Sequence, residues 1–361
     1  MALAVDRANI IERLRTALAG NALSNADLEL MPDKGLAHHH IRLRGRGIVA
    51  RIPKQSQMNL DALENLRYQA ACFERASVGG HAPRLIEVLN PSAALRRGAL
   101  LVEEIRGGPA TLPRDLPAIA EALASIHALP VPEAAARPPL FDPEQPLAAM
   151  AAEIRQQAAY LVQADLAPAS RTQILNELHG WDALLASTPE PPKALIAFDA
   201  HPGNFLVRRD GRAVLVDLEK ARYSCPAFDL AHATLYTSTT WDIESAVELS
   251  FAEVVAFILG WREKLGSQAD RWDRWLTIAR RGMWLWSVTW CAKWKALSQT
   301  KSDQSQHGED WSADNSAAEL VRHVRDRVEC YLSPAIVRRV REELQELPAA
   351  LRAHGVRNAH P

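Results

Sequence analysis

The chain has 361 residues, of which 48% are hydrophobic, so it is long enough for one large domain or two, each with a buried core. Its 42 Lys and Arg residues balance 43 Asp and Glu residues, and the net charge of −1 gives no general reason to expect nucleic acid or an anionic membrane as a partner. No apolar run approaches the roughly 18 residues of a membrane helix, and charged residues interrupt the N-terminus, so neither a membrane span nor a signal peptide is predicted. The scattered cysteines form no CxxC pair, which favours reduced thiols in a cytoplasmic protein.

The sequence of the first hundred residues predicts two helices and several short strands. Apolar residues at helical spacing predict a helix from Ala8 to Leu18, which Gly20 ends. A second helix is predicted from Asp61 to Ala76. The β-type segments are predicted at Leu28 to Met31, His38 to Leu43, Ile48 to Ile52, Pro83 to Val88, and Leu100 to Val102.

The rest of the chain is mainly of helical type. A helix is predicted from Ile119 to Leu129, where we expect His127 to pack and not to catalyse. The helical pattern from Pro143 to Ser187 is broken at Ala167-Pro168. From Ile243 onward the pattern is again helical, with a polar loop over Lys301 to Asn315.

One helical segment, Arg271 to Ala296, is dense in tryptophan. Trp286, Trp290 and Trp294 are spaced so that they share a helical face. Packing between helices is the favoured interpretation, with one or two of these residues bordering the substrate site. The alternative is an aromatic wall that holds an amine or a quaternary ammonium by cation–π contact.

The most informative stretch follows a strand predicted for Ala194 to Phe198. That strand ends on Asp199, and Pro202-Gly203 then forces a loop. Two short β-type runs come next, on either side of Asp210-Gly211, which is a strong signal for a hairpin turn. The stretch therefore predicts a strand that delivers an aspartate to a loop, with a β-hairpin directly after it.

The hairpin register predicts which polar side chains meet. We expect Asp210-Gly211 to form a two-residue turn, which places Leu206 opposite Leu215. Further from the turn, Asn204 then lies opposite Asp217, with Cβ atoms about 4.5–5.5 Å apart. An amide oxygen and a carboxylate are hard ligands that suit Mg²⁺, because this ion completes its shell with water and substrate phosphates.

Asp199 completes the predicted site. Its carboxylate can orient a substrate hydroxyl and accept its proton. A metal site beside such a carboxylate is typical of phosphoryl transfer, which needs positioning and charge neutralisation more than covalent help from the protein. The chain contains no Gly-x-x-x-x-Gly-Lys-Ser/Thr motif, which excludes a Walker-type nucleotide site.

The order of these residues resembles the aminoglycoside phosphotransferase/choline kinase superfamily. The resemblance rests on Asp-x-His-Pro-Gly-Asn from Asp199 to Asn204, on Val-Asp-Leu-Glu from Val216 to Glu219, and on Asp229-Leu230-Ala231. Protein kinases have the same Asp-x-x-x-x-Asn spacing, followed by an Asp before Phe-Gly. The resemblance implies an α+β, bilobal, protein-kinase-like fold. A small antiparallel-sheet lobe over residues 1–104 would bind nucleotide, and a larger, mainly helical lobe over residues 105–361 would carry catalysis and substrate binding.

By this resemblance, residues of the N-terminal lobe hold ATP. Arg51 takes the place of the strand cation that binds the α- and β-phosphates, with Lys54 as the alternative. The next helix usually supplies a glutamate that pairs with this cation. Here Gln69 has the best-fitting position, with Glu74 further along, so a hydrogen bond would replace the usual ion pair.

Two further segments of this lobe are expected to contact the nucleotide. The turn Asp33 to Leu36, which includes Lys34, occupies the place where kinases of this shape cover the phosphates, although it has a single glycine. Glu103 and Glu104 lie where a hinge should expose backbone groups that bind adenine. Together with Arg51 and Gln69, these residues form the predicted nucleotide site.

The C-terminal lobe is expected to carry the chemistry. Asp199 is the predicted base or positioner of the acceptor hydroxyl. Asn204 and Asp217 are the predicted Mg²⁺ ligands, and Glu219 is expected to hold a second Mg²⁺ or its water shell. Asp229 is expected to accept hydrogen bonds from the backbone of the catalytic loop.

The sequence thus predicts an ATP-dependent kinase that phosphorylates a hydroxyl of a small acceptor, which is aminoglycoside-, choline-, amino-acid- or sugar-like. The competing interpretation is a nucleotide-binding pseudokinase that acts as a regulatory or scaffold module. It is motivated by Gln69, by the glycine-poor turn, and by Ala197, where the family usually has a histidine that supports the loop. Retention of Asp199, Asn204 and Asp217 favours activity, because a scaffold has no physical need for all three.

Overall fold

The computed structural model describes residues 2–32, 37–242, 245–299 and 318–356. The chain forms two compact units. One consists of Met1–Arg106 with Ser302–Arg322, and the other of Gly107–Lys301 with His323–Pro361. Each unit has its own sheet structure and its own buried side chains.

The N-terminal unit is built on a five-stranded antiparallel sheet with the order β1-β2-β3-β5-β4. Its strands are β1 (Asp27–Leu30), β2 (His38–Arg44), β3 (Ile48–Pro53), β4 (Leu85–Leu89) and β5 (Ala99–Glu103). The central strand β3 is buried along its whole length. Burial on both faces explains why its sequence is an apolar run, interrupted by Arg51, with no alternation of polar and apolar residues.

Two helices of this unit stand at the predicted places. Helix α1 (Ala2–Ala17) begins earlier than predicted, and its Ile10 and Leu14 belong to the same buried cluster as Ile41 of the sheet. Helix α2 (Ala62–Ala76) begins after Asp61, whose carboxylate accepts the N–H of Glu64 at 2.8 Å. This side chain satisfies one of the backbone donors that a helix leaves free at its N-terminus, so the predicted start is correct.

The second unit is mainly helical. Its helices are α3 (Leu116–His127), α4 (Pro146–Ala158), α5 (Pro168–Ser187), α6 (Pro226–Thr234), α7 (Tyr236–Thr239), α8 (Phe251–Leu265), α9 (Leu276–Gln299), α10 (Ala318–Tyr331), whose first residues belong to the N-terminal unit, and α11 (Pro334–Ala353). Four of them, α4, α5, α6 and α11, begin with proline, because proline fits the first turn of a helix, where its missing N–H costs no intrahelical hydrogen bond. Large aromatic side chains fill the interior, among them Trp181, Trp261 and Trp284.

Five short strands of this unit form two small sheets. They are β6 (Gly107–Pro109), β7 (Ala194–Ile196), β8 (Phe205–Arg208), β9 (Ala213–Leu215) and β10 (Arg222–Ser224). The sheets have the orders β6-β8-β9 and β10-β7, and every pair is antiparallel. The sequence did not predict β6 or β10, because three residues are too few to show a periodic pattern.

The β8–β9 hairpin has a different loop from the predicted one. The backbone N–H of Gly211 donates to the carbonyl of Arg208 at 3.0 Å, and the N–H of Arg208 donates to the carbonyl of Arg212 at 2.9 Å. Gly211 has a φ of 85°, in the left-handed region. This is a three-residue loop that ends in a left-handed glycine, and not a two-residue turn.

The longer loop shifts the register by one residue. Leu206 pairs with Val214, so its predicted pairing with Leu215 is wrong. The predicted opposition of Asn204 and Asp217 is wrong for the same reason. The carbonyl of Asn204 instead accepts the N–H of Val216 at 2.9 Å, and Asp217 comes one residue later.

The predicted fold class is confirmed in its main features. An antiparallel sheet lies in the N-terminal region, and the C-terminal region is helical. Lys34 and the predicted polar loop over Lys301 to Asn315 lie outside the described residues. Among the helices that the structure describes, none has both the length and the apolar content that are required to cross a bilayer.

Candidate active site

Strand β7 leads into the loop of residues 197–204, which we call the Asp199 loop. The strand ends at Ile196, and Phe198 then takes a φ of 64°, a left-handed conformation that is disfavoured for a residue with a side chain. The change of backbone direction places Asp199 at the start of a partly buried turn, with 23% of its side chain accessible. The carboxylate is therefore held at the end of a buried strand and still reaches solvent.

The backbone of this loop is held by Asp229, as predicted. The buried carboxylate of Asp229, on α6, accepts the N–H of Ala197 at 2.7 Å and the N–H of Phe198 at 2.8 Å. Two buried donors that no strand partner could satisfy are thereby paired.

Two further side chains extend this network into the core. The indole N–H of Trp261 donates to Nδ1 of His127 at 3.0 Å, so the proton of the imidazole lies on Nε2. Nε2 in turn lies 3.1 Å from Oδ2 of Asp229. His127 is buried, as expected of a packing residue, and it also orients the carboxylate that holds the Asp199 loop.

Positive and aromatic groups surround the Asp199 carboxylate. Nζ of Lys220 donates to Oδ2 at 2.9 Å, while Nδ1 of His232 and Nε2 of His201 lie 3.7 and 4.0 Å from Oδ1. Burial by itself would raise the pKa of Asp199, but Lys220, His201 and His232 together outweigh this effect and hold the pKa well below its usual range. Burial lowers the pKa of His232 to about 4, so this imidazole is neutral at pH 7.

The predicted metal ligands lie close to this loop in the chain and in the fold. Nδ2 of Asn204 donates to the backbone carbonyl of Asp199 at 2.8 Å, which uses the amide nitrogen and not the oxygen that a metal would bind. Carboxylate oxygens of Asp217 and Glu219 lie within 4.8 Å of each other. Asp217 is half-buried and Glu219 is 6% exposed. Hard oxygen donors at this spacing fit a divalent cation such as Mg²⁺.

In the N-terminal unit, the predicted nucleotide residues Arg51 and Gln69 both contact His38. Nε2 of His38 lies 2.9 Å from Oε1 of Gln69, and its Nδ1 lies 3.5 Å from a terminal nitrogen of Arg51. All three residues are buried, and the guanidinium of Arg51 lies over the ring of Phe73. A histidine therefore lies between the strand cation and the helix residue that was predicted to orient it.

Glu103 ends the strand β5, and Glu104 follows it. Their side chains pair with Arg84 at 3.2 Å and with Arg42 at 2.7 Å. The backbone N–H of Glu103 donates to Arg84, and that of Glu104 donates to Gly47. These two N–H groups are thus engaged within the unit.

The tryptophan-rich segment packs, as the favoured interpretation predicted. Trp272, Trp284 and Trp294 are buried, whereas Trp286 and Trp290 are half-buried. The indole of Trp272 donates to the carbonyl of Pro192, and that of Trp275 to the carbonyl of Pro189. These bonds fix the proline-rich loop that leads into β7.

Sequence reasoning missed several residues around Asp199. Lys220, Arg222 and His232 were assigned no role in the predicted site. Lys220 follows Glu219 directly, and Arg222 follows two residues later. These cations beside the acidic motif were the sequence signal that could have indicated a role in the site. Nothing in the spacing of His232 points to Asp199, because the contact depends on how α6 packs against the loop.

Comparison with known proteins places this site in a family. The model of the phosphotransferase enzyme family (APH) matches residues 40–265, which is more than half of the chain. The chain therefore belongs to this family. The predicted class of enzyme, a phosphotransferase with an alcohol group as acceptor, is confirmed by this membership. No curated protein matches the chain by sequence.

Solved structures share the fold. A choline/ethanolamine kinase family protein from Mesorhizobium loti is 20% identical, with a TM-score of 0.55 over 96% of this chain and 98% of that one. An ethanolamine kinase from Plasmodium vivax is 12% identical, with a TM-score of 0.57 over 91% and 89%. A thermostable mutant of aminoglycoside phosphotransferase APH(4)-Ia is 16% identical, with a TM-score of 0.51 over 88% and 98%. At these identities the likeness shows the fold, which confirms the protein-kinase-like prediction.

Proposed function

We propose that this protein transfers the γ-phosphate of ATP to a hydroxyl of a small acceptor. The acceptor is an aminoglycoside-, choline-, amino-acid- or sugar-like alcohol. One observation carries the proposal: the Asp199 carboxylate stands at the end of a buried strand, ion-paired with Lys220 and followed by Asn204, in a chain of the phosphotransferase family.

Asp199 acts on the acceptor hydroxyl. A carboxylate whose pKa lies well below its usual range is a weak base, so its main contribution is to orient the hydroxyl in line with the γ-phosphorus. The proton passes to the carboxylate as the new O–P bond forms, when the hydroxyl has become acidic. Lys220, bonded to the same carboxylate, adds a positive charge where negative charge develops.

Asn204, Asp217 and Glu219 are the residues that would hold Mg²⁺. Their oxygen donors fit this ion, and Asp217 and Glu219 carry the charge that it neutralises. When bound, Mg²⁺ supplies charge neutralisation and orientation of the phosphates. Arg51, positioned by His38 and Gln69, would bind phosphate oxygens, as would Lys34. The segment at Glu103 and Glu104 would contact adenine through groups other than these two backbone N–H groups, which are already engaged.

Binding and turnover measured on the same variants test this proposal. Purified protein is titrated with Mg-ATP by calorimetry, and ADP release is measured with a panel of alcohols. Asp199→Ala should abolish turnover and leave Mg-ATP binding intact, whereas Asp217→Ala should weaken both. Asp210→Ala is the matched control, because this exposed turn residue caps the N–H of Arg212 and should change neither. Wild-type protein that binds no Mg-ATP would contradict the proposal.

A nucleotide-binding pseudokinase is the second candidate. It is favoured by Gln69, which stands where the family usually has a glutamate for the strand cation and whose amide oxygen contacts His38. It is also favoured by Ala197, whose buried methyl group cannot support the loop as an imidazole would. Mg-ATP binding without product from any alcohol in the panel would select this function over the kinase.

A further inference from the structure

The Asp199 loop depends on an unusual backbone conformation. Phe198 has a φ of 64°, which residues with side chains keep only where their surroundings enforce it. Since Asp199 is the next residue, the conformation of Phe198 decides where the carboxylate lies. Whatever holds Phe198 therefore also positions Asp199.

Asp229 accepts the Phe198 N–H at 2.8 Å, and Nδ1 of His232 lies 3.2 Å from the Phe198 carbonyl, so both hold its backbone. Arg222 supports the Phe198 side chain. Its guanidinium carbon lies 3.5 Å from the centroid of the Phe198 ring and 5.3 Å from that of Phe141. Only 9% of the Arg222 side chain is exposed. A largely desolvated guanidinium stacked on an aromatic face is a favourable contact, and its planar shape suits the ring better than an ammonium group does.

Several contacts hold the Arg222 guanidinium in place. It donates from Nη1 to Oε1 of Glu153 at 2.9 Å and from Nε to the carbonyl of Lys220 at 3.3 Å. The other oxygen of Glu153 accepts the indole N–H of Trp286 at 3.1 Å. The Trp286 indole packs nearly perpendicular to the Phe198 ring at a centroid distance of 5.4 Å, so the chain of contacts leads back to Phe198. The guanidinium thus cannot move without breaking several contacts.

We propose that Arg222 is a positioning residue for phosphoryl transfer. It holds Phe198 in the left-handed conformation and so keeps the Asp199 carboxylate where an acceptor hydroxyl is bound. This inference rests on the proposed function. Arg222 acts through its contact with Phe198. It provides the side-chain support that Ala197 cannot.

The test compares two arginines of the same unit. Arg222→Met keeps the aliphatic length and removes the planar cation. Arg137→Met is the matched control, because Arg137 also forms a part-buried ion pair, with Asp142 at 3.0 Å, and lies over an aromatic ring, that of Tyr223 at 6.0 Å. Arg222→Lys keeps the charge without the planar group, and it serves if the methionine variant does not fold.

Hydrogen exchange gives a readout that does not need an acceptor. In Arg222→Met, backbone amides of residues 197–204 should exchange faster, while those of α11 keep the wild-type rate. Arg137→Met should leave the loop unchanged. Equal acceleration throughout the unit would mean a general loss of stability and would overturn the proposal, as would an unchanged loop.

Kinetics then test the consequence for chemistry. We expect kcat to fall about 10- to 100-fold in Arg222→Met, since a displacement of about 1 Å at a reacting group has this effect. KM for Mg-ATP should stay within about twofold. Arg222→Lys should restore part of the loss.

A double mutant tests whether Arg222 acts through the backbone conformation of residue 198. Glycine adopts the left-handed region without penalty, so Arg222→Met should cost much less kcat in a Phe198→Gly protein than in wild type. An equal loss in both backgrounds would overturn the proposal. Wild-type protein that forms no ADP would contradict the proposed function instead, and the exchange data would still decide whether Arg222 holds the loop.

Discussion

Removing the Asp229 carboxylate should lower the free energy of unfolding far more than removing a surface aspartate does. Asp229→Ala deletes the acceptor of the Ala197 and Phe198 N–H groups, at 2.7 and 2.8 Å, and the partner of His127 at 3.1 Å. All of these groups are buried, and Asp229 is 0% exposed. The methyl group of alanine cannot accept a hydrogen bond, so these donors lose their partner.

The size of the effect follows from the number of donors. A buried donor left without an acceptor costs about 1–3 kcal/mol. Three such donors, with partial repair by water, give a loss of about 3–6 kcal/mol in the free energy of unfolding. This is a large part of the about 5–15 kcal/mol that stabilises a typical domain.

Urea unfolding followed by circular dichroism measures this loss. Asp182→Ala is the control, because Asp182 pairs with Arg155 at 2.6 Å at the surface, where such a pair contributes about 0–1 kcal/mol. Asp229→Asn should also be destabilised, because its amide keeps one acceptor oxygen but sets its NH2 group against a buried donor. If Asp229→Ala were no less stable than Asp182→Ala, the network would not hold the loop.

Three further predictions concern the loop and the hairpin. Gly211→Val forces a β-branched residue to a φ of 85° and should lower the free energy of unfolding by about 1–2 kcal/mol in a urea titration; an unchanged midpoint would refute the left-handed loop. Gly203→Ala would place a Cβ 2.8 Å from Cβ of Asp242 and 3.0 Å from Cε1 of His201, so it should lower Tm through a strain of about 1–3 kcal/mol; an unchanged Tm would argue against this packing. Asp199 has a lowered pKa in the folded protein, so its contribution to stability is present above about pH 4 and is lost as the pH falls toward the folded pKa. Without added metal, the stability difference between wild type and Asp199→Asn should therefore shrink below about pH 4, and a constant difference would contradict this.

Much of the fold could be predicted from sequence because its signals are local. Helix α2 was predicted within one residue, since the capping Asp61 marks its start. The strands β2 and β3 were equally clear. Strands β6 and β10 were not, because each has only three residues and exists through its partner strand.

The candidate site shows a similar division. The motif located Asp199, Asn204 and Asp217, and the order of these residues along the chain was sufficient for that. The hairpin register was wrong because Asp210-Gly211 suits either a two-residue or a three-residue loop, and the backbone of Gly211 decided between them. The roles of Lys220 and Arg222 depend on how β10 lies beside β7, which no local pattern records.

The most direct test of the proposed function is ³¹P NMR of the products that form from Mg-ATP and the alcohol panel. The wild-type protein should give ADP and a phosphate monoester with at least one alcohol. Asp199→Asn should give no ester over the same time while it still binds Mg-ATP. Formation of the ester by Asp199→Asn at the wild-type rate, or of inorganic phosphate alone by the wild type, would contradict the role assigned to Asp199.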